Sequence, residues 1–186
     1  MKRKVLVILV AMLASLVSIP VGESDFRITL GIVVMAVAIQ VFNFKKVIPF
    51  SVWTGLFVCL ARVAYVATIG TDLSPALIGS YFLEIAFYVG YGLIYHFAIL
   101  YNRSKTPIPL VLSLVLCDFG GNSLEYLLRF FYMSEVWSDT SLVTLLLAAV
   151  SRSIMIILLT WLLQQFVFKA EQKQEESQSS EEGQTL

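Results

Sequence analysis

A row of ionisable and amide side chains interrupts an otherwise apolar part of this sequence. Asp118, Asn122, Glu125 and Arg129 stand at offsets of 0, 4, 7 and 11, so an α-helix would bring all four to one face. Such a face can bind a polar ligand through hydrogen bonds, or its charges can pair with each other. The two carboxylates could also exchange protons, but no nucleophile or set of metal ligands accompanies them. The pattern therefore does not indicate an enzyme.

A stripe of four tyrosines and one glutamate lies upstream with the same kind of spacing. Its members stand at offsets of 0, 3, 7, 10 and 14 and again share one helical face: Tyr81, Glu84, Tyr88, Tyr91 and Tyr95. Tyrosine combines an apolar ring with a hydrogen-bonding tip, which suits a flat organic ligand. Taken alone, such a stripe is more often helix packing than a binding site, and its value comes from the charges beside it.

Three further arginines, Arg27, Arg62 and Arg152, lie within or beside other apolar segments. Charges in hydrocarbon are costly, so they are expected to face the interior of a helix bundle and to find partners there. One interpretation is a set of ion pairs that lock the bundle, Arg62–Glu84 with Glu125–Arg129 or Glu125–Arg152. The other is a polar, aromatic-lined cavity that receives a small molecule from outside. The predicted ligand contacts are Arg62, Glu84, Tyr88, Tyr91, Asp118, Asn122 and Glu125, with Arg152 supporting them.

Two smaller features leave alternatives open or carry little chemistry. Gly120-Gly121 either lets two helices pack closely or breaks a helix beside Asp118. Cys59, Cys117 and the single histidine, His96, show no metal-binding spacing, so neither a metal nor another cofactor is expected.

These residues must be positioned by membrane helices. The chain has 186 residues, of which 58% are hydrophobic, whereas soluble domains are nearer 45–50%. A spanning helix needs about 20 apolar residues. Six segments meet or approach this length: Val5–Ile19, Arg27–Phe42, Ile48–Thr68, Pro75–Tyr101, Leu110–Tyr132 and Ser141–Phe168. The sequence therefore predicts an all-α integral membrane protein with six transmembrane helices in residues 1–168.

Charges between the segments predict the orientation. Basic residues cluster at the start, after the second and fourth segments, and after the sixth: Lys2, Arg3, Lys4, Lys45, Lys46, Arg103, Lys105, Lys169 and Lys173. Acidic residues occupy the alternate connections: Glu23, Asp25, Asp72, Glu135 and Asp139. Because basic loops stay in the cytoplasm, both ends are predicted to be cytoplasmic, in a bacterial plasma membrane. The zero formal net charge gives no reason to expect nucleic acid as a partner.

Residues 169–186 differ in kind from the membrane domain. They are acidic and rich in Gln and Ser, and they have little to bury. The segment is predicted to be either a disordered cytoplasmic tail or the start of a signalling linker to a partner.

The second and third segments resemble a known family. Phe26-Arg27-Ile28-Thr29-Leu30-Gly31, then Val41-Phe42-Asn43-Phe44-Lys45-Lys46 and Trp53-Thr54-Gly55, resemble the start of S components, the substrate-binding subunits of energy-coupling factor vitamin transporters. The resemblance covers about residues 1–168. It implies a six-helix S-component-like bundle with its ligand in the outer half, and a transporter ATPase and coupling subunit as partners. In that family a small-xxx-small pattern on the first helix docks on the transport module; here only Ala11 and Ser15 represent it.

The segment from Asp118 to Arg129 is similar instead to the membrane input regions of some bacterial sensor histidine kinases. In those proteins the last helix runs into a charged signalling helix rich in Gln and Glu, as the stretch from Gln164 to Glu176 does here. The function predicted from the sequence is a membrane-embedded sensor that binds a small molecule from outside and reports to a cytoplasmic signalling protein. The alternatives are a transporter capture subunit and a structural membrane protein with internal ion pairs only.

Overall fold

The computed structural model describes residues 2–20, 27–70, 74–101, 109–132 and 142–182; the side chains at 18–20, 27–28, 76 and 167–182 lie outside that description. The described chain forms six helices and one pair of three-residue strands. In chain order the elements are α1 (Lys2–Ser15), β1 (Ser18–Pro20), β2 (Arg27–Thr29), α2 (Leu30–Val41), α3 (Val47–Thr68), α4 (Pro75–Tyr95), α5 (Leu110–Tyr132) and α6 (Leu142–Glu182). A π-helical segment, His96–Tyr101, continues α4.

The predicted helical architecture is confirmed, and four of the six helices are long and apolar enough to cross a membrane. These four stretches are Val47–Thr68, Leu77–Tyr101, Leu110–Tyr132 and Leu142–Phe166. Apolar side chains such as Leu146, Ile154 and Phe166 are exposed on the outside of the bundle, as expected for surfaces that face lipid. The chain is therefore a helical membrane protein.

The first two helices are shorter than the sequence predicts. α1 has 14 residues and ends at Ser15, not Ile19, and α2 has 12 and begins at Leu30, not Arg27. At 1.5 Å per residue they are about 21 and 18 Å long, against about 30 Å of hydrocarbon. Ser18–Pro20 and Arg27–Thr29, beside these helix ends, form the antiparallel pair β1–β2, in the register Ser18↔Thr29, Ile19↔Ile28 and Pro20↔Arg27. Pro20 has no amide to continue a helix ladder, and it lies at the end of its strand, where proline is tolerated.

The helices pack in a closed circuit. α1 contacts α2 and α3, α3 contacts α4, α4 contacts α5, α5 contacts α6, and α6 returns to α2. The core contains most of α2 together with residues from each of the other helices, and α4 contributes the largest aromatic share. Tyr88, Leu114 and Ile156 are among its members that are not accessible to solvent. Tyr88 lies between α2 and α3, because a Cβ on Gly31 would meet its hydroxyl at 2.6 Å and one on Gly55 would meet its Cβ at 2.9 Å.

Local sequence signals explain where two of the helices begin. Ser74 caps α4 by accepting a hydrogen bond from the amide of Leu77 at 3.2 Å, and Pro75 follows at the first helical position. Between α2 and α3, Asn43 has a positive φ of 49°, a conformation that asparagine tolerates better than most residues. The chain can therefore reverse within five residues, 42–46.

The N-terminal end of α1 is fastened to this same turn. The guanidinium carbon of Arg3 lies 5.7 Å from the ring centre of Phe42, and the Lys4 ammonium lies 5.3 Å from that of Phe44. Cation–π contacts of this kind contribute about 0.5–1 kcal/mol at exposed sites. They hold the basic start of the chain beside the basic Lys45-Lys46 pair, so the two predicted cytoplasmic regions share one end of the bundle.

At the other end of the chain, α6 continues through Glu182, well beyond its apolar part. Most of the loop charges used to predict orientation lie outside the described residues, as does the side chain of Arg27. The orientation, the number of spans and the division at residue 168 stay predictions.

Candidate functional site: a buried row of charged and aromatic side chains

The most buried charged group is the cluster of Asp118, Asn122 and Arg152, which joins α5 to α6. Arg152 Nη2 lies 3.2 Å from Asp118 Oδ1 and donates a hydrogen bond to Asn122 Oδ1 at 3.3 Å. Asn122 Nδ2 donates to the same Asp118 oxygen at 2.7 Å and to the Asp118 backbone carbonyl at 2.9 Å. The side chains of Asp118 and Arg152 are 0% and 2% exposed. The helical spacing of four residues places Asp118 and Asn122 one turn apart, so both can reach Arg152.

Aromatic rings of α4 enclose this cluster. The Arg152 guanidinium carbon lies 4.9 Å from the ring centre of Phe87, within cation–π range. Phe87 packs edge-on against Tyr91, with ring centres 6.4 Å apart, and Tyr91 stacks on Tyr95 at 6.4 Å. Tyr88 and Tyr91 are fully buried. The predicted tyrosine stripe therefore lines the interior of the bundle.

Among the buried polar atoms of this region, Asp118 Oδ2 and the hydroxyl oxygen of Tyr91 have no hydrogen-bond partner in the part of the chain that the structure describes. An unsatisfied buried polar group costs about 1–3 kcal/mol, and native proteins usually pair such atoms with protein, water or ligand. The cluster can thus accept at least one further hydrogen bond at a carboxylate oxygen.

A second pair joins three helices. Arg62 Nη1 of α3 binds Glu84 Oε2 of α4 at 2.6 Å, and its Nε and Nη2 donate to the backbone carbonyl of Ser15 at 3.2 and 2.8 Å. Ser15 is the last residue of α1, whose final carbonyls have no partner within the helix. Arg62 therefore caps α1 and pairs with Glu84 at the same time.

A third pair lies within α5 and reaches α4. Arg129 Nε and Nη2 bind Glu125 Oε1 at 2.9 and 2.6 Å, one helical turn away. The same guanidinium donates to the hydroxyl of Ser80 at 2.6 Å and to the Ser80 carbonyl at 3.0 Å. Both charged side chains are largely buried, with 8% and 6% exposure for Arg129 and Glu125.

These contacts decide several of the sequence predictions. The Arg62–Glu84 and Glu125–Arg129 pairs are confirmed. Arg152 pairs with Asp118, not with Glu125 as one alternative proposed. The predicted ligand contacts divide into three groups. Asp118, Asn122 and Arg152 form one cluster beside Tyr91, Arg62 and Glu84 form a second, and Glu125 belongs to the third, while Tyr88 fills the bundle centre.

The sequence reasoning missed Ser80, Phe87 and the Ser15 carbonyl. Ser80 stands four residues before Glu84, so its helical spacing could have identified it. Phe87 carries no polar signal, and a backbone carbonyl carries none either. Both depend on helix packing, which the sequence pattern does not specify.

The Gly120-Gly121 pair serves close packing and not a helix break. α5 is helical from Leu110 to Tyr132 without interruption. A Cβ on Gly121 would meet the Phe87 backbone oxygen at 2.9 Å, and one on Gly90 would meet the Gly121 Cα at 3.1 Å. Glycines on both helices therefore allow α4 and α5 to approach closely, as small residues do in membrane bundles.

A shallow apolar cleft of about 340 Å³ lies elsewhere on α4. Leu93, Ile94, Phe97 and Ala98 line it, at the junction with the π-helical segment. Among the described residues no group of three His, Cys, Asp or Glu side chains could hold a metal ion. The cleft has none of the charged residues that the predicted binding site requires.

Comparisons with protein-family models, with curated proteins and with solved structures find no match to this chain. The resemblances to transporter S components and to kinase input regions therefore rest on the sequence motifs alone.

Proposed function

We propose that this chain is a membrane-embedded receptor module that binds a small molecule from outside and reports its presence to a cytoplasmic signalling protein. The observation that carries the proposal is the Asp118 cluster, a fully buried carboxylate with one oxygen still able to accept a hydrogen bond. A buried ion pair is often no more stable than well-packed apolar residues of the same volume. Stability alone is therefore a weak reason for placing one here, whereas ligand recognition is a sufficient reason.

The charges of the cluster define the ligand class. Asp118 and Arg152 balance each other formally, so a charged ligand would bring an uncompensated buried charge, which is costly. An uncharged molecule with an N–H or O–H donor would satisfy Asp118 Oδ2 without that cost. The rings of Phe87 and Tyr91 offer apolar faces to a flat molecule. We therefore propose an uncharged, flat, hydrogen-bond-donating ligand.

Burial of the cluster requires the bundle to open when the ligand enters. A ligand can shift a helix equilibrium only through different affinities for the two packings. The closed arrangement described here would be one of these packings, and a form with α4, α5 and α6 further apart would be the other. Binding and signalling would then be one event.

One observation bears on the transporter alternative. Ala11 and Ser15 are the two residues that match the small-xxx-small docking pattern of S components, and both are fully buried. A Cβ on Gly31 would meet the Ala11 carbonyl oxygen and the Ser15 Cβ at 3.0 Å each, so this face of α1 packs on α2. A transport module could not reach it in this arrangement. The burial therefore favours the sensor over the capture subunit.

The decisive experiment is native mass spectrometry of the protein purified in mild detergent. We expect a bound small molecule on the wild type and at least tenfold lower occupancy on Asp118→Asn. This substitution keeps the shape of the side chain but removes its negative charge and replaces one acceptor oxygen with a donor NH2 group. Ser123→Ala is the matched control on α5, because the hydrogen bond of its hydroxyl within the described residues is local, to the Phe119 carbonyl at 2.8 Å.

Wild type without any adduct, and without thermal stabilisation by a panel of uncharged metabolites, would contradict the proposal. In that case the ion pairs serve the architecture alone. Pull-down of an ATPase and a coupling subunit would instead support the transporter alternative.

A further inference from the structure

We infer that Arg152 is the residue that passes occupation of the Asp118 site to α6, and so makes α6 the moving element of the module. The inference rests on the proposed function for the nature of the signal. Its physical basis, the contact between Arg152 and its neighbours, is independent of any ligand.

Arg152 is the only charged residue in the apolar part of α6, residues 142–166. From α6 it reaches Asp118 and Asn122 on α5 and lies over the ring of Phe87 on α4. One side chain thus links three helices at the carboxylate that retains an unbonded oxygen. A donor that binds Asp118 acts on the same group that holds Arg152.

The rest of the α6 interface is largely apolar, with Leu145, Ala148, Ala149 and Ile156 buried. Ser153 and Thr160 are also buried, and the Ser153 hydroxyl donates within α6 itself, to the Ala149 carbonyl at 2.7 Å. Apolar contacts are non-directional, so such an interface tolerates small rotations and translations of the helix. A charge-assisted hydrogen bond is directional and short-ranged. The contacts of Arg152 therefore fix the rotation and the height of α6, and a change at Asp118 changes both.

The arginines of the other two ion pairs described above are placed differently. Arg62 connects α3 with α1 and α4, and Arg129 binds Glu125 on its own helix and Ser80 on α4. They connect α1, α3, α4 and α5, which keep their relative positions when α6 moves. α6 is also the helix that continues beyond the membrane, through Glu182. A displacement of α6 is consequently transmitted to the cytoplasm without any additional contact.

The test measures the position of α6 by electron–electron spin distances in the full chain without added ligand. Spin labels replace Trp161 on α6 and Trp53 on α3, which are 58% and 54% exposed, in a background with the buried Cys59 and Cys117 changed to alanine. We expect Arg152→Lys and Asp118→Asn each to shift the distance by about 1–2 Å or to add a second distance population, the scale of helix shifts in signalling proteins. Lysine keeps the charge but loses the planar fork that reaches two acceptors.

Arg129→Lys is the matched control, the same substitution at a second buried arginine. It should lower the Tm by a similar amount and leave the distance unchanged. A shift that appears with Arg129→Lys as well would show general repacking and would overturn the inference. So would distances that coincide with those of the wild type in both Arg152→Lys and Asp118→Asn. If Asp118→Asn does not fold, Arg152→Lys alone decides.

The two proposals can fail separately. If native mass spectrometry shows a ligand while the distances stay constant, the binding proposal stands and the proposed role of Arg152 is wrong. A distance shift without any bound molecule leaves Arg152 as the anchor of α6 and removes the receptor function.

Discussion

Arginines in this bundle act through geometry as much as through charge. Arg62 binds the carbonyl at the end of α1 and a carboxylate with one guanidinium. Arg129 likewise binds a carbonyl within α4, that of Ser80, together with the Glu125 carboxylate. Five N–H donors in a fixed plane make this possible, and lysine has no equivalent. Each of these buried carboxylates therefore depends on a particular arginine. Removing the arginine and removing the carboxylate should lower the free energy of unfolding by different amounts.

The Arg62–Glu84 pair should show this inequality. Arg62→Met leaves Glu84 buried without its partner and the Ser15 carbonyl without its donor, so we expect a loss of about 3–5 kcal/mol in the free energy of unfolding. Glu84→Gln keeps an acceptor for Arg62 and retains the cap on α1, and should cost about 1–2 kcal/mol. Denaturant unfolding in mild detergent measures both. Equal losses would show that Arg62 acts only through Glu84.

The two adjacent glycines of α5 offer a second test at the residue scale. A Cβ at position 121 meets the Phe87 backbone oxygen at 2.9 Å, which cannot move without shifting α4. A Cβ at position 120 meets the Cδ1 atom of Ile94, the far end of a flexible side chain. We expect Gly121→Ala to destabilise the protein by about 1–3 kcal/mol and Gly120→Ala by less, as measured by Tm. The reverse order would contradict the close approach of α4 and α5.

At the scale of elements, the positions of α1 and α2 are held by the contacts at their ends more than by their length. Helices of 14 and 12 residues are short for spans. At one end of these helices lie the Arg62 cap on the Ser15 carbonyl and the β1–β2 pair. At the other end lies the turn at residues 42–46. The turn is the simpler of these to test, because a single backbone angle defines it.

Asn43 should tolerate glycine and reject a β-branched residue. Its positive φ of 49° is accessible to glycine at no steric cost, whereas valine would be strained there by about 1–2 kcal/mol. We expect Asn43→Gly to leave the Tm within about two degrees of the wild type and Asn43→Val to lower it clearly. The neighbouring Lys45→Val is the control for adding an apolar β-branched side chain at this exposed turn. If Asn43→Val is no worse than Lys45→Val, the turn does not depend on the left-handed conformation.

The existence of the helices and the bounds of α3 and α5 were predictable from the sequence, whereas the ends of α1, α2 and α6 and the rotation of the helices were not. The bounds of α5 are those predicted, and α3 differs by one residue at its start, because long apolar runs identify spans directly. The Arg62–Glu84 and Glu125–Arg129 pairs followed from opposite charges within neighbouring apolar segments or one helical turn apart. The partner of Arg152 depends on the relative rotation of α5 and α6, which no local pattern specifies. Three-residue strands such as β1 and β2 are too short for a periodic signal.

At the scale of the whole molecule, the open question is how many helices cross the bilayer and in which direction. We predict that both ends are cytoplasmic and that all six helices span. Single cysteines at exposed positions test this in the background with Cys59 and Cys117 changed to alanine. Val17→Cys and Ile69→Cys should react with a membrane-impermeant maleimide on intact cells. Lys45→Cys, also exposed, should react only after permeabilisation.

Each position reports on specific helices. Opposite sides for Val17 and Lys45 mean that α2 crosses, and opposite sides for Lys45 and Ile69 mean that α3 crosses. Labelling of Val17 and Lys45 from the same side would make α2 a re-entrant helix and reduce the number of spans. Labelling of Lys45 alone on intact cells would reverse the orientation and place the Asp118 cluster nearer the cytoplasm.

The length of α6 has a mechanical consequence. Arg152 lies ten residues from the start of this 41-residue helix and thirty from its end, which corresponds to about 15 and 45 Å. If the helix tilts stiffly about that side chain, the geometry of a lever applies, and a sideways step of 1 Å at Leu142 becomes about 3 Å at Glu182. A small displacement of α6 at the binding site would then produce a movement about three times larger at the cytoplasmic end of the helix.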